Sequence, residues 1–135
     1  MEGFELFDNQ SINRVVDKIT ITKNYLINFP TAFYKINNLE NKKTVLLYYN
    51  KASSQIGIEF KDDEDERGFK ITGSNGGQNG GYITAKNFFA MNGLVEKIRT
   101  GRYDYSKKNK RQENLDENTF FVIKLEYNNF NSAES

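Results

Sequence analysis

Apolar and polar residues alternate most clearly between residues 19 and 60. Residues 19–22 read Ile-Thr-Ile-Thr, and residues 25–29 place every second side chain, all apolar, on one face. A period of two is typical of half-buried strands. Between these runs stand Lys23 and Asn24, and asparagine tolerates the left-handed backbone that a tight turn needs. The pattern therefore predicts a β-hairpin.

A short helix is predicted directly after this hairpin, over residues 30–38. Pro30 ends the second strand because proline cannot donate to a ladder, and proline is also suited to the first position of a helix. Phe33 and Ile36 are three residues apart, which places them on one face of that helix. The asparagine pair at its end can supply the left-handed residue that closes it.

Two further strands complete a first unit, residues 19–60. Residues 45–49 are a continuous run of strand-forming apolar residues. After a turn-rich stretch, Ile56, Ile58 and Phe60 alternate again. The unit is therefore expected to run strand, turn, strand, short helix, strand, turn, strand.

Residues 69–127 repeat the beginning of this order as a second unit. Residues 69–72 alternate, a glycine-rich run follows over 73–81, and alternation resumes at 82–84. The glycine-rich run lacks the Gly-Lys-Ser/Thr ending of a phosphate-binding loop. We interpret it as a flexible connection between two strands.

A second short helix is expected over residues 85–92. Thr84 is its candidate cap, Phe88 and Phe89 are predicted to face inward, and Gly93 stands just past the helix end. A closing strand over residues 119–127 would place four apolar side chains on one face, those of Phe121, Ile123, Leu125 and Tyr127.

The order of parts in the first unit resembles the AbrB/MazE-type swapped-hairpin domain, also called the looped-hinge fold. Members of that family show a turn, an apolar-x-apolar-Pro motif that opens a short helix, a leucine after the helix, and an apolar strand. The matching residues here are Lys23, Asn24, Ile27, Asn28, Phe29, Pro30, Phe33, Leu39, Val45, Leu46 and Leu47. Where the family usually has an arginine in the helix, this chain has Tyr34, with Lys35 beside it.

The resemblance implies a barrel. Two chains interleave to close it in the AbrB/MazE-type family, and a duplicated chain, as in MraZ-like members, would close it with itself. The expected fold is therefore α+β, mainly β: a small closed or partly open β-barrel built from two hairpin-helix units with short helices. Residues 1–135 are expected to form a single domain, with an N-terminal segment (1–18) and a tail (128–135). A coincidental likeness of the two units is the alternative.

Composition excludes several classes of function. The chain has no histidine and no cysteine, which excludes Ser-His and Cys-His catalysis, thiolate metal sites and disulfides. No cofactor, metal site or catalytic activity is expected. The N-terminal sequence lacks a signal-peptide pattern, and no apolar run approaches the ~20 residues of a membrane span. A cytoplasmic protein without a membrane partner is expected, and the abundance of Asn, Lys and Ile suggests a phage or a low-GC bacterium.

Charge is unevenly distributed along the chain, although the net charge is only +1. Residues 67–111 contain ten basic and two acidic residues, and two tyrosines are interleaved with the basic ones. Basic side chains neutralise phosphates, and aromatic rings stack on bases. The predicted nucleic-acid-binding residues are Lys23, Lys35, Arg99, Arg102, Tyr103, Tyr105, Lys107, Lys108, Lys110 and Arg111. A solvated basic loop is the alternative.

The leading hypothesis is a small nucleic-acid-binding protein, a DNA-binding regulator or accessory factor, as the resemblance also implies. It would act as a monomer or homodimer on double- or single-stranded DNA; a Whirly-type single-strand binder is a second possibility of the same kind. The hypothesis from another class is a protein-interaction module, an antitoxin or a phage-type inhibitor of a host enzyme. It would use the acidic segments at 62–66 and 113–117, which are otherwise solvated loops.

Overall fold

The computed structural model describes residues 18–73, 80–108 and 120–128. Two short helices and nine strands lie in these ranges. In chain order they are β1 Ile19–Ile21, β2 Leu26–Phe29, α1 Thr31–Asn37, β3 Thr44–Asn50, β4 Gln55–Lys61, β5 Phe69–Lys70, β6 Gly81–Thr84, α2 Lys86–Met91, β7 Gly101–Tyr103, β8 Tyr105–Lys108 and β9 Phe120–Lys124. The fold is α+β and mainly β, as the sequence predicts.

The strands form two antiparallel sheets. The four-stranded sheet has the order β6-β2-β1-β7, and the five-stranded sheet has the order β5-β3-β4-β9-β8. The chain passes from one sheet to the other between β7 and β8, across Asp104. Near β5 and β6 the described connection is a single bridge, Thr72–Tyr82. The sheets do not form the closed barrel that the resemblance implies, because this ladder is too short to continue one sheet into the other.

One hydrophobic core lies between the inner faces of the two sheets. Alternate residues of the strands point into it, so that Ile19, Ile27, Ile58 and Ile83 are fully buried. The helices contribute aromatic side chains at the edges of this core. The Phe33 ring of α1 lies 4.8 Å from that of Phe121, and its other ring contacts are Phe29, Phe60 and Tyr105. In α2, Phe89 packs 5.4 Å from Tyr25.

The strand registers relate the first half of the chain, β1 to β4, to the second half, β5 to β9, by an internal twofold axis. Four ladders join the halves, and in two of them, the antiparallel β2–β6 and β4–β9, equivalent strands pair with each other. Ile27 pairs with Ile83 in the first of these ladders, and Gly57 pairs with Val122 in the second. An antiparallel pair has a local twofold axis at its centre. In each of these two ladders, one strand comes from each half, and the common axis passes between the two strands.

The remaining ladders repeat in the same register. Leu47 pairs with Ile58 in the first half, and Tyr105 pairs with Ile123 in the second. Two further ladders join strands of different halves: β1 pairs with β7 through Thr20 and Arg102, and β5 pairs with β3 through Lys70 and Thr44. Thr20 is thus equivalent to Lys70, and Arg102 to Thr44.

The two helices end in the same way. After α1, Asn38 is left-handed (φ 55°), and the Leu39 N–H donates to the Tyr34 carbonyl at 3.0 Å. After α2, Gly93 is left-handed (φ 69°), and the Leu94 N–H donates to Phe89 at 2.8 Å. Both ends are left-handed helix stops of the kind that satisfies free carbonyls, which confirms the predicted helix ends.

The asparagine before each stop also has the same contact. The side-chain amide of Asn37 donates to the Phe33 carbonyl at 3.0 Å, and that of Asn92 donates to the Phe88 carbonyl at 2.8 Å. These pairs make Phe33 equivalent to Phe88.

The structure corrects two turn and cap assignments. The positive φ of the first hairpin turn is at Tyr25 (63°) rather than at Asn24. The turn is closed by two backbone hydrogen bonds of 2.9 Å, from the Tyr25 N–H to the Thr22 carbonyl and from the Thr22 N–H to the Leu26 carbonyl. The hydroxyl of Tyr25 accepts the Glu96 N–H at 2.7 Å. Thr84 does not cap α2, because it belongs to β6 and Ala85 is the cap residue, without a side-chain bond.

Two side chains predicted to share a face with residues that are now found buried are exposed. Ile36 is 58% exposed, because the buried face of α1 consists of Phe33, Tyr34 and Asn37. Tyr127 is 46% exposed, because β9 ends at Lys124 and only a single bridge to Ile98 continues the pairing.

Candidate nucleic-acid interface

The two tyrosines of the predicted basic segment face the protein interior. Tyr103 is 2% exposed, and its hydroxyl donates to the Arg99 carbonyl at 2.6 Å and accepts the Glu126 N–H at 3.2 Å. Burial raises its pKa. The Tyr105 ring packs edge-on against Phe33 at 4.9 Å. Tyr103 is therefore not available to stack on a base, and Tyr105 is used in packing, which corrects the roles that the sequence predicts.

Arg99 is also used within the protein. Its guanidinium lies 4.2 Å from the centre of the Tyr103 ring, pairs with Glu126 at 2.7 Å, and donates to the Arg102 carbonyl at 2.8 Å. A cation over a ring and a charge-assisted hydrogen bond both stabilise such a contact. Arg99 therefore fastens the segment after β9 to β7.

The other predicted basic residues are divided between the two sheets and α1. Arg102 is exposed on β7 of the four-stranded sheet, and Lys107 is exposed on β8 of the five-stranded sheet. Lys23 is exposed in the turn between β1 and β2, and Lys35 is exposed on α1. Lys108 is the last residue of β8, and Lys110 and Arg111 lie outside the described residues. Residues 101–108 are divided between two sheets, because 101–103 belong to the four-stranded sheet and 105–108 to the five-stranded sheet.

Polar side chains follow one another across the outer face of the four-stranded sheet. The inner residues of its strands are buried, so the residues between them face outward. Ladder pairs place one polar residue of each strand beside the next and end at the Thr72–Tyr82 bridge. We call this set the polar row; its members are Arg102, Thr20, Asn28, Tyr82 and Thr72. At about 4.8 Å between strands the row spans roughly 19 Å.

The charge on this face is positive. None of the residues in β1, β2, β6 and β7 is acidic, and Arg102 is their one charged residue. Lys18 and Asp104, at the border of the sheet, form an ion pair. Lys70, which is equivalent to Thr20 across the internal axis, is exposed beyond Thr72. Exposed cations therefore stand at both ends of the polar row, Arg102 at one and Lys70 at the other.

No family model, curated protein or solved structure matches this chain. The interface therefore has to be judged on its own chemistry. Hydroxyl and amide groups flanked by cations can donate hydrogen bonds to phosphate and base-edge oxygens. In the parts of the chain that the structure describes, no helix is long and apolar enough to cross a membrane. Within those same parts, no group of three or more acidic residues is placed to hold a metal ion.

The sequence analysis missed the polar row. Its members are single outward residues of different strands, and the strand registers alone bring them together. The available signal was that the polar positions of the alternating runs 19–22 and 25–29 contain threonine and asparagine but no carboxylate. Charge clustering along the chain points instead to residues 97–111, where Arg99 and both tyrosine rings support the fold.

The acidic segment at 62–66 is partly neutralised. Asp62 pairs with Lys42 at 2.8 Å, and Asp65 pairs with Arg67 at 2.7 Å. The hydrogen bonds from Arg67 hold the pKa of Asp65 well below its usual range. The carboxylates without an ion pair to any described residue are those of Asp63, Glu64 and Glu66, all exposed. The second acidic segment, 113–117, lies outside the described residues.

Proposed function

We propose that this protein binds double-stranded DNA through the outer face of its four-stranded sheet. The observation that supports this most directly is the polar row, which has no carboxylate and ends at Arg102 on one side and near Lys70 on the other. Phosphate contacts supply most of the non-specific affinity for DNA. Arg102, Lys70 and Lys23 would make these contacts.

The internal twofold axis favours a duplex over a single strand. It passes between β2 and β6 at the Ile27–Ile83 pair, next to the Asn28–Tyr82 pair of the polar row. The two backbones of a duplex are themselves related by twofold axes, whereas a single strand has none. A row of roughly 19 Å also exceeds the ~12 Å width of a major groove, so that its two cationic ends can reach the two flanking backbones.

Within the row, Asn28 and Tyr82 lie nearest to the axis. Asn28 is exposed and Tyr82 is half-buried, and the two residues are paired in the β2–β6 ladder. Asparagine can form two hydrogen bonds to an adenine edge. These residues would give the sheet its sequence preference, while the cations at the ends set its position on the backbone.

A salt titration with matched variants tests the proposal. Fluorescence anisotropy would measure the affinity for a labelled mixed-sequence duplex between 50 and 200 mM salt. R102A and K70A should each weaken binding and lower the slope of log K against log salt by about 0.9, since each removes one phosphate contact. K51A is the control, because Lys51 is an exposed lysine in the β3–β4 turn, at the end of β3 opposite to the Thr44–Lys70 pair. Binding that salt does not affect, or an equal loss in K51A, would contradict the proposal.

The acidic segment supports a second candidate, a protein-interaction module that occupies a basic site on a partner. Asp63, Glu64 and Glu66 are exposed and without ion pairs to described residues. Glu64 and Glu66 line a cavity of about 700 Å³ together with Lys43 and Lys70. Replacing the three acidic residues by their amides separates the candidates. The triple variant should lose a protein partner under this function, but it should bind DNA at least as tightly as the wild type, because it removes negative charge near Lys70.

A further inference from the structure

Outward side chains surround the internal twofold axis on the outer face of the four-stranded sheet. The axis passes between β2 and β6 at the Ile27–Ile83 pair, and both of these residues are fully buried. Successive side chains of a strand point to opposite faces, so the ladder pairs on either side of this pair face outward. We call these residues the central array; its members are Leu26, Asn28, Tyr82 and Thr84.

The axis relates members of the central array that have similar character. Asn28 and Thr84 each follow a residue of the axis pair, so they are equivalent, and both are exposed and polar. Leu26 and Tyr82 each precede a residue of that pair, and both are half-buried. Each side of the axis therefore presents one exposed polar side chain and one half-buried side chain.

The backbone contacts next to the central array repeat as well. The Thr22 N–H donates to the Leu26 carbonyl at 2.9 Å, and the Thr72 N–H donates to the Tyr82 carbonyl at 2.8 Å. The same residue type thus has the same contact on both sides of the axis. A ligand that is itself twofold symmetric would meet a similar backbone outline on each side.

The two polar members differ in the groups that they can bind. Asn28 has an amide with donors and an acceptor, whereas Thr84 has a single hydroxyl. Neither side chain has a hydrogen-bond partner within residues 18–73, 80–108 and 120–128. An amide matches the adjacent donor and acceptor of an adenine edge, whereas a threonine hydroxyl suits more than one base. The backbone of the array is therefore symmetric, but its chemistry is not.

The spacing of these polar members fits neighbouring base pairs of one duplex. Thr84 lies on the strand next to Asn28, two residues beyond the ladder partner of Asn28. With about 4.8 Å between strands and about 6.8 Å along them, the diagonal is roughly 8 Å. Base pairs are about 3.4 Å apart along the helix, so this diagonal corresponds to about two to three base steps.

We infer that the central array reads a quasi-palindromic duplex, whose two halves are related by a dyad but differ in how strictly one base is selected. This inference rests on the proposed binding of duplex DNA by this face. Asn28 selects an adenine on one side of the dyad through its amide, and Thr84 tolerates more than one base at the related position. The internal axis of the protein coincides with the dyad of the DNA.

Selection from a pool of duplexes with a randomised centre tests this inference. The wild type should enrich sequences with one constant adenine and a variable base at the dyad-related position. T84N adds a second amide at the equivalent position, so it should enrich true palindromes and bind them about tenfold more tightly than the wild type does. N28T should lose the preference for adenine by about the same factor. Thr84 and Asn28 are exposed, so neither change alters the core.

S106N is the matched control, because Ser106 is an exposed hydroxyl residue on β8 of the five-stranded sheet. It should enrich the same sequences as the wild type. The inference is overturned if a folded T84N binds duplexes but enriches the wild-type sequences, or if N28T keeps the adenine preference; the proposed function then still stands. A wild type that enriches no duplex at all overturns both.

Discussion

The two halves of the molecule share a backbone plan but differ in the side chains placed on it. The ladders β3–β4 and β8–β9 have the same register, and both helices end in a left-handed residue followed by leucine. In contrast, α1 begins after Pro30 and buries Phe33 and Tyr34, whereas α2 begins after Ala85 and buries Phe89 alone. The two halves therefore have similar backbone geometry, while the helix of the first half buries more side chains than that of the second.

The same contrast extends to the outer surfaces. Arg102 and Thr20 on one side of the internal axis correspond to Thr44 and Lys70 on the other, so a cation is present on both sides, on different strands. A cation therefore lies at each end of the polar row, but Arg102 and Lys70 are not at equivalent positions.

Truncating the equivalent helix phenylalanines should give the largest difference between the halves. Phe33 is fully buried against four aromatic rings, whereas Phe88 is half-buried with two aromatic neighbours. F33A should lower the free energy of unfolding by about 3–5 kcal/mol, and F88A by about 1–2 kcal/mol. Urea denaturation would measure both. Equal losses would mean that Phe33 and Phe88 contribute equally to the free energy of unfolding.

Exchanging hydroxyl groups between equivalent positions should have the next largest effect. Tyr34 is fully buried, and its hydroxyl has no hydrogen-bond partner within residues 18–73, 80–108 and 120–128. Phe89 is the equivalent residue of α2. Y34F should raise the free energy of unfolding by about 1 kcal/mol, because it removes an unsatisfied polar group. F89Y should lower it by about 1–3 kcal/mol, because it creates one. A loss of stability in Y34F would indicate that the hydroxyl has a partner in solution.

The effect of Y34F should also depend on pH. Burial raises the pKa of Tyr34 to about 12, above the value of about 10 in the unfolded chain. Neutral Tyr34 therefore favours the folded state below pH 10, and this contribution is lost as the pH rises from 10 toward 12. The increase in the free energy of unfolding caused by Y34F should therefore be about 1.4 kcal/mol larger at pH 11 than at pH 8.

Urea denaturation of both proteins at pH 8 and pH 11 gives that increase directly. Burial and the hydrogen bond to Glu59 also raise the pKa of Tyr48 to about 12. Tyr48 is present in both proteins, so its effect cancels in the comparison. A gain that does not change with pH would show that Tyr34 ionises like an exposed tyrosine.

Local patterns were sufficient to predict most of the elements. Alternation identified β1, β2 and β4, the continuous run identified β3, and the helix stops at Asn38 and Gly93 followed from turn chemistry. These signals are local, because each depends on side chains within a few residues of one another. Ile36 was misplaced because, in a helix of seven residues, the neighbours rather than the three-residue spacing decide which side is buried.

Long-range pairing decided what local patterns could not predict. The polar row joins residues as far apart in sequence as Thr20 and Arg102, and no pattern in either strand indicates that they are neighbours. Tyr103 was predicted as a surface residue because of the charges next to it in sequence. Tyr103 pairs with Ile19 in the β1–β7 ladder, and Ile19 is in the core. Because paired residues lie on the same face of a sheet, this pairing buries the Tyr103 ring.

The smallest expected difference between the halves is at the helix stops. Asn38 and Gly93 have similar left-handed backbones, and glycine adopts this conformation at less cost than asparagine. N38G should therefore raise the free energy of unfolding by about 0.5 kcal/mol, and G93N should lower it by a similar amount, since a Cβ at Gly93 meets nothing within 4 Å. Urea denaturation of both single variants and of the double exchange would test this. If the halves are equivalent here, the double variant is as stable as the wild type, because distant independent changes add. A double variant less stable than the sum of its parts would mean that one of the two stops has a contact that its counterpart lacks.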